Sequence, residues 1–424
     1  MALALFGSFV ILLIIGVPIS FALGLASVYA LVTIIETPLI IGAQTMFSAV
    51  DSFPLMAIPF FILAGNVMSG GGISKRLTKF AAVLVGPMTG GLAHVSIISS
   101  MFFAAISGSS PATTAAIGGI MVPEMKKRGY SNEFSTAVVS AAGTVGVVIP
   151  PSIPMVLYGV LAGASIGKLF MGGFGPGILM GIAMMIVAYR ISKREGYVGE
   201  KRVSFKEGLK VFIDSIWALL MPVIILGGIY GGVFTPTEAA AVAVVYGVIV
   251  GLFIYKELKL KDLPDILFDS AIGTATIMML IAAANLFGWL LVSNQIPQKI
   301  AQAMLSLSTN PYIILFLFNI LLLIVGTFLN TTAAVVLLTP ILLPVMVTVG
   351  LDPVFVGVIM VVNLAVGMIT PPVGLCLFVG CNIGKISIEE LTKSIMPFLI
   401  ALIICIFIIT YIPPIIMFLP NLLF

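Results

Sequence analysis

The sequence predicts an all-α polytopic membrane protein with inverted-topology repeats, two re-entrant helical hairpins and two broken helices. Three observations predict this fold class: the apolar composition, segments that match between the two halves of the chain, and Pro-Pro pairs inside apolar segments. Hydrophobic residues make up 60% of the 424 residues and charged residues only 8%. Because a soluble domain cannot bury that much apolar surface, the chain is predicted to lie in a membrane.

Apolar stretches long enough to cross a bilayer recur along the whole chain, among them residues 2–35, 215–232, 239–255 and 398–418. The backbone inside a bilayer must satisfy its own hydrogen bonds, and continuous apolar runs favour helices over the alternating strands of a barrel. By length, we expect about ten or eleven spans in addition to the two hairpins. The net charge of +4 fits basic loops beside a membrane, so no nucleic-acid partner is expected.

Three pairs of segments match between the halves in the same order, which is typical of an internal repeat. FFILAGN, which ends at Asn66, matches MLIAAAN at an offset of 285 − 66 = 219. SGSSPATTAA matches GTFLNTTAA at an offset of 331 − 113 = 218, and a proline follows in both, at Pro123 and Pro344. IPPSIPMVLYG matches TPPVGLCLFVG, with Pro150 against Pro371 at an offset of 371 − 150 = 221. Three matches in one order predict two copies of one unit.

The basic residues predict opposite orientations for the two halves, since cytoplasmic loops collect lysine and arginine. Seventeen of the twenty fall at or before Lys261, and the basic stretch 190–210 is therefore a predicted cytoplasmic linker. If Lys79 and Lys126 lie on one side of the membrane, the apolar segment between them must enter and leave on that side. It is then a re-entrant hairpin with its tip at residues 107–111, and the second half has a matching tip at residues 327–332.

Each Pro-Pro pair should interrupt a helix, because proline removes an amide donor and disfavours helical backbone in the preceding residue. Carbonyl groups upstream are then left free, and Gly143, Thr144, Gly367 and Thr370 let the broken stretches open towards a ligand. Oxygen ligands of this kind suit a small cation such as sodium, while the amino end of the restarting helix favours an anion. Taken singly, a Pro-Pro pair could also be an ordinary kink, and a Ser/Thr run could be helix packing through small residues.

The sequence offers no set of residues that predicts an enzyme. The single histidine, His94, excludes motifs that need two, and the segments GASIGK and GGGISKR lack the spacing of a phosphate-binding loop. The three cysteines, Cys376, Cys381 and Cys405, have no metal-ligand spacing and are interpreted as buried apolar side chains. No organic cofactor is expected.

Seven motifs in order carry a resemblance to a known family: GVPISFALG, DSFPLMAIPFFILAGNVM, SGSSPATTAAIGGIMVPEM, IPPSIPMVLYG, GGVFTPTEAAAVAVVYG, GTFLNTTAAVVLLTPILLPV and GMITPPVGLCLFVG. Together they closely resemble the large membrane permease subunit of tripartite ATP-independent periplasmic (TRAP) transporters, across essentially the whole chain. The resemblance implies a multi-pass protein of the bacterial inner membrane with an elevator-type ion transporter architecture.

The same resemblance implies a function and partners. The function would be sodium-coupled uptake of a small organic anion, namely a carboxylate such as sialic acid or a C4-dicarboxylate. The protein partners would be a small four-helix membrane subunit and a periplasmic substrate-binding protein. The nearest alternative is a stand-alone sodium–dicarboxylate symporter without a binding protein, and a structural subunit is a more distant one.

Carried over position by position, the resemblance also implies ligand-binding residues. Substrate contacts would be Ser107, Ser109, Ser152, Asn330 and Thr331. Sodium ligands would be Ser107, Gly108, Ser110, Gly143, Thr144, Val147 and Pro150 in the first half, and Thr327, Asn330, Thr332, Gly367, Thr370 and Pro372 in the second. Asn330 stands where many members of the family carry aspartate, so a role that depends on a negative charge does not carry over.

The predicted organisation divides the chain into six parts. The first half begins with N-terminal scaffold helices (1–53), followed by a first inverted repeat (54–189) with a hairpin at about 80–128 and a broken helix at about 133–165. A cytoplasmic linker (190–212) and scaffold helices with an amphipathic arm (213–269) connect it to the second half. The second inverted repeat (270–394) has a hairpin at about 310–350 and a broken helix at about 353–383, and a C-terminal span (395–424) follows.

Overall fold

The computed structural model describes residues 2–35, 38–307 and 310–424, and this part of the chain is helical and contains no β-strand. Its α-helices are α1 (Ala2–Ile14), α2 (Ile19–Ala30), α3 (Leu39–Val50), α4 (Ala57–Gly70), α5 (Ile73–Val85), α6 (Gly91–Ser107), α7 (Ser110–Lys127), α8 (Asn132–Gly143), α9 (Ile153–Ala162), α10 (Ile166–Glu195), α11 (Phe205–Tyr230), α12 (Pro236–Ile249), α13 (Leu263–Ser293), α14 (Ile296–Leu307), α15 (Pro311–Phe328), α16 (Thr331–Thr348), α17 (Pro353–Gly367), α18 (Leu375–Gly384), α19 (Ile388–Tyr411) and α20 (Pro414–Leu423).

Eight helices in the described part of the chain are long and apolar enough to cross a membrane. Large apolar side chains also face outwards: Ile14, Ile15 and Phe47 are each more than 70% exposed, as expected of a surface that lipid covers. The prediction of ten or eleven spans exceeds this count because apolar stretches are divided into shorter helices. Residues 2–35, for example, are divided where Gly16 adopts a φ of +92°, a left-handed conformation that ends a helix.

Helices α4 to α10 recur in the same order as α13 to α19. Helix α7 begins at Ser110 and α16 at Thr331, an offset of 331 − 110 = 221, and α8 and α17 begin at the same offset, 353 − 132 = 221. The offset of 218 predicted for the hairpin tips is therefore wrong by three residues. Runs of serine, threonine and alanine can be aligned with one another in several registers. The residues that directly precede α7 and α16, Ser109 and Asn330, define a single register.

Each half contains a pair of helices joined by a two-residue turn, followed by an interrupted helix. Gly108 and Ser109 join α6 to α7, and Leu329 and Asn330 join α15 to α16. The helix is interrupted at residues 148–152 and 368–374, and both Pro-Pro peptide bonds there are cis. The predicted breaks at the Pro-Pro pairs are thus present. That each hairpin enters and leaves on one face of the membrane stays a prediction.

Several predicted boundaries do not coincide with helix ends. The boundaries at residues 189/190, 269/270 and 394/395 fall inside α10, α13 and α19, and the first hairpin begins at Gly91 instead of at about residue 80. The predicted amphipathic arm, residues 255–269, comprises a non-helical segment, the 3-10 turn Leu260–Asp262 and the start of α13. Charged residues mark where a helix leaves the apolar region, and these helices continue beyond that point.

Helices of each repeat pack against helices of the other repeat. Helix α9 of the first repeat packs against α16 of the second, while α18 of the second packs against α7 and α8 of the first. Helices α4 and α13 form a different group, in which α4 packs against α12 and α13, and α13 against α2 and α3. The two groups touch where α4 meets α6 and where α13 meets α16. This arrangement brings both turns and both breaks to one place.

A polar cluster around Arg76 ties α5 to the segment between α12 and α13. The Nη1 atom of Arg76 donates a hydrogen bond to Oε1 of Glu257 at 2.7 Å, and its guanidinium lies 3.6 Å from the centre of the Tyr255 ring. Burial raises the pKa of the Glu257 carboxyl, but the hydrogen bonds and positive charges of Arg76 and Lys75 outweigh it and hold that pKa below its usual range.

Candidate functional site

A cavity of about 310 Å³ lies where both hairpin turns, both breaks and helices α4 and α13 meet. The turns and the helix residues beside them contribute Ser107, Gly108, Ser109, Pro111, Ala112, Asn330, Thr331 and Thr332. The breaks and the residues beside them contribute Val147, Ile153, Met368 and Leu375. The remaining wall consists of Ile62, Gly65, Asn66, Ser69, Phe103, Gly273 and Ile277. The cavity is thus bounded by both groups of helices.

Four helices begin at this cavity. Each of the helices α7, α9, α16 and α18 places one of its first residues on the cavity wall. These residues are Ala112, Ile153, Thr331 and Leu375, respectively. A helix start carries a partial positive charge and amide donors that have no partner within the helix. None of the described lining residues is ionisable, so the helix starts dominate the local electrostatics. The cavity is therefore suited to an anion.

The four helix starts differ in their caps. The Ser152 hydroxyl accepts a hydrogen bond from the Met155 amide at the start of α9, and the Asn330 Oδ1 accepts one from the Ala333 amide, at 2.7 Å, at the start of α16. Among the described residues, no side chain caps α7 or α18. One uncapped helix start therefore lies in the hairpin of the first repeat, and the other lies in the break of the second.

In the first half, the hairpin turn is hydrogen-bonded to the break. The Ser110 hydroxyl donates to the carbonyl oxygen of Thr144 at 3.0 Å, and the Ile153 amide donates to the carbonyl oxygen of Gly108 at 3.3 Å. Within the turn, the Thr113 hydroxyl donates to the Ser109 carbonyl and lies 2.8 Å from the Ser107 hydroxyl. Hydroxyl and carbonyl oxygens are thus concentrated between α6, α7 and the end of α8.

The second half repeats this connection with different residues. The Gly374 amide donates to the carbonyl oxygen of Thr327 at 3.0 Å, and Gly326 packs directly against the backbone of Gly367. The Thr370 hydroxyl, in the break, donates to the carbonyl oxygen of Val366 in the last turn of α17. Because Gly326 and Gly367 have no side chains, the second break can lie directly on α15.

The predicted site residues fall into two sets. Those on the cavity wall are Ser107, Gly108, Ser109, Val147, Asn330, Thr331 and Thr332. Those behind the wall are Ser110, Gly143, Thr144, Pro150, Ser152, Thr327 and Gly367, which are buried, and Thr370, which is half-buried. Pro372 is exposed and lies away from the wall, so its predicted place among the sodium ligands is not supported.

Ser152 was expected to contact substrate, but it does not line the cavity; the next residue in the chain, Ile153, does. Its side chain is fully buried, and its hydroxyl donates to the carbonyl oxygen of Val147 at 2.5 Å while capping α9. Ser152 therefore connects the two sides of the first break. Val147 and Ile153 form the cavity surface at this point.

The wall formed by α4 and α13 was not predicted from the sequence. On α4 it consists of Ile62, Gly65, Asn66 and Ser69, which share one helical face. Asn66 had been singled out only as a marker of the repeat. The signal that could have identified it is an amide and a hydroxyl three residues apart in an otherwise apolar helix.

Comparison with known proteins gives the family context of this site. The family described as "Tripartite ATP-independent periplasmic transporter, DctM component" matches residues 6–415. The isethionate TRAP transporter permease protein DctMQ of Oleidesulfovibrio alaskensis is 50% identical over 418 residues, which are 98% of this chain and 65% of that protein. The chain thus spans about two thirds of the length of that relative. The C4-dicarboxylate TRAP transporter large permease protein DctM of Rhodobacter capsulatus is 39% identical over 436 residues, covering 100% of this chain and 99% of that protein.

A solved structure shares the fold. The crystal structure of the Alcanivorax borkumensis YdaH transporter, described as having an unusual topology, superposes with a TM-score of 0.64 over 87% of this chain and 86% of that one. The sequence identity is 13%, so this likeness concerns the fold alone.

Proposed function

Because the chain belongs to the tripartite ATP-independent periplasmic transporter family, as its DctM component, we propose that it takes up small organic anions together with sodium across a bacterial inner membrane. The observation that carries this proposal is the convergence of four helix starts on one cavity, whose described lining residues are not ionisable. An anion replaces the missing partners of the terminal amides and requires no basic residue.

The substrate we propose is a small carboxylate or sulfonate. The named substrates of the two relatives belong to these classes, isethionate being a sulfonate and C4-dicarboxylates being carboxylates. A cavity of about 310 Å³ lies at the small end of ligand sites and favours a compact anion. Ser107, Ser109, Asn330 and Thr331 are the proposed contacts, with Ser152 acting through the shape of the first break.

Sodium is the proposed coupling ion. Its ligands would be carbonyl and hydroxyl oxygens between each hairpin turn and its break: residues 107–110 with 143–150, and residues 327–332 with 367–370. Neutral oxygen atoms are adequate for a monovalent hard cation. In this proposal, binding of sodium between turn and break holds the helix starts in place for the anion, which couples the two ligands.

We further propose that the hairpins and breaks move as one body past a scaffold to which α4 and α13 belong. The packing of each repeat across the other supports a single moving body. A periplasmic binding protein would deliver the anion, and a small four-helix membrane subunit would complete the transporter.

The test is uptake into proteoliposomes that contain the chain with its membrane subunit, with and without a binding protein. We expect isethionate or a C4-dicarboxylate to accumulate only under an inward sodium gradient and only with the binding protein. Ser107→Ala and Asn330→Ala should each lower uptake roughly tenfold or more, because each removes a hydrogen bond to a charged ligand. Thr348→Ala, which removes an exposed hydroxyl at the far end of α16, is the matched control.

Two outcomes would contradict the proposal. Accumulation that persists when potassium replaces sodium would exclude sodium coupling. Accumulation that is unchanged without the binding protein would favour the stand-alone symporter.

A further inference from the structure

Asn66 presents an amide group to the cavity from the α4 wall. It is half-buried and lies on the same helical face as Ile62 and Ser69. The preceding residue, Gly65, packs against the first hairpin turn, where a Cβ would lie 3.5 Å from the Cα of Ser107. Asn66 is therefore next to the turn, although it belongs to the other group of helices.

A hydrogen bond to Ser270 of α13 determines which way this amide points. The Ser270 hydroxyl donates its single proton to the carbonyl oxygen of Ile266 at 2.6 Å, so it can only accept from Asn66. The Asn66 Nδ2 accordingly donates to Ser270 Oγ at 2.8 Å. The Oδ1 atom is left on the opposite side of the amide, where it accepts no hydrogen bond from any described residue.

A hydrogen-bond acceptor such as Oδ1 of Asn66 is unexpected on the wall of a cavity that binds only anionic groups. Carboxylate and sulfonate oxygens are acceptors themselves, and they would face Oδ1 without forming a hydrogen bond. The other amide oxygen of the wall, Oδ1 of Asn330, is already engaged with the Ala333 amide. An anion that displaces water from the half-buried Asn66 oxygen satisfies this atom directly only if it carries an O–H or N–H donor besides its anionic group.

We propose that the site selects hydroxylated anions, with the anionic group at the helix starts and the substrate hydroxyl donating to Oδ1 of Asn66. This inference rests on the proposed uptake of organic anions and defines the substrate class more narrowly. Ser270 is a positioning residue, because it acts on the substrate only by orienting the Asn66 amide.

The test compares pairs of anions that differ by one hydroxyl: 2-hydroxyethanesulfonate with ethanesulfonate, and hydroxysuccinate with succinate. Uptake of each anion is measured as kcat and KM in proteoliposomes that contain the complete transporter. The ratio of kcat/KM within a pair is then compared between variant and wild type, so that any selectivity of the binding protein cancels.

We expect Asn66→Leu to lower this hydroxyl preference about three- to tenfold, the usual effect of one hydrogen bond, through a higher KM for the hydroxylated anion. The unhydroxylated anion should keep its KM. Ser270→Ala, which preserves Asn66 but frees its amide, should lower the preference by a smaller factor. Asn285→Leu, at the repeat-related position of α13 outside the cavity wall, is the matched control and should leave the preference unchanged.

An unchanged preference in both Asn66→Leu and Ser270→Ala would overturn the inference, as would an equal loss in Asn285→Leu. The Ser270 variant keeps the test decisive if Asn66→Leu does not fold. Failure of the proposed function would be seen separately, because the wild-type transporter would then take up neither member of a pair.

Discussion

At the scale of single residues, two glycines decide how closely the second break approaches its hairpin. Gly326 in α15 and Gly367 at the end of α17 pack backbone to backbone, and a Cβ on Gly367 would lie 2.5 Å from the Cα of Gly326. Gly367 could be singled out from the sequence because it precedes a Pro-Pro pair. Gly326 could not, since its importance arises only from this contact between two helices.

Gly367→Ala is therefore expected to destabilise the protein by about 1–3 kcal/mol, the usual cost of overpacking. Thermal unfolding in detergent should show a lower midpoint, and uptake should fall because the break is displaced from the turn. The control is Gly119→Ala in α7, where no atom lies within 4 Å of the added Cβ and alanine favours the helix. Equal midpoints for the two variants would contradict the proposed close fit.

The ion pairs of Glu257 predict a dependence of stability on pH. A carboxyl whose pKa is lowered by folding stabilises the folded state above its ordinary pKa, and this contribution is lost as the pH falls through the lowered value. Wild type should therefore unfold at a higher temperature than Glu257→Gln at neutral pH, and the difference should close below about pH 4.5. The difference should also shrink in high salt. The control is Glu389→Gln, which removes a carboxylate without an ion pair among the described residues.

At the scale of helices, the breaks and their alignment were predictable, and the register of the hairpin turns was not. Pro-Pro chemistry alone predicts the interruptions at residues 148–152 and 368–374, because no helix can accommodate two missing amide donors at its centre. The register of the hairpin turns was misjudged, because it depends on which residue directly precedes α7 and α16. Ser152 was likewise expected at the ligand, whereas its hydroxyl serves the start of α9.

The cap at Asn330 gives a prediction that separates stability from charge. Asn330→Ala should lower the free energy of unfolding by about 1 kcal/mol, because the Ala333 amide loses its acceptor. Asn330→Asp should retain the cap and the unfolding midpoint, while its negative charge raises the KM for the anion. Both quantities can be followed by thermal unfolding and uptake kinetics. A midpoint for the aspartate variant as low as that of the alanine variant would show that Asn330 does not act as a cap.

At the scale of the whole molecule, the sequence indicates two copies of one unit but not how they interlock. The packing of α9 on α16, and of α18 on α7 and α8, involves apolar helices with many equally apolar surfaces. No local pattern selects one pairing over another. The same limit explains why the α4 and α13 wall of the cavity was missed: Asn66 and Gly273 come from segments whose proximity only the assembled fold reveals.

Relative movement of the two groups of helices can be tested by cross-linking across the cavity. Gly65 and Ser107 are close enough for a disulfide, so Gly65→Cys and Ser107→Cys are introduced together into a chain in which Cys376, Cys381 and Cys405 are replaced by alanine. Oxidation should abolish uptake. A reducing agent should then return uptake to the level that the double variant shows before oxidation. Uptake by the oxidised protein equal to that of the reduced double variant would mean that α4 and the first hairpin do not move past each other.

The unequal caps of the four helix starts have a consequence for directionality. Ser152 accepts from the Met155 amide of α9 and Asn330 from the Ala333 amide of α16, whereas no described side chain caps the repeat-related helices α18 and α7. The two repeats share a fold, but they differ in the side chains that cap the helix starts at the cavity. In the proposed transport cycle, a substrate with two dissimilar ends would meet two dissimilar ends of the cavity and would cross in a single orientation.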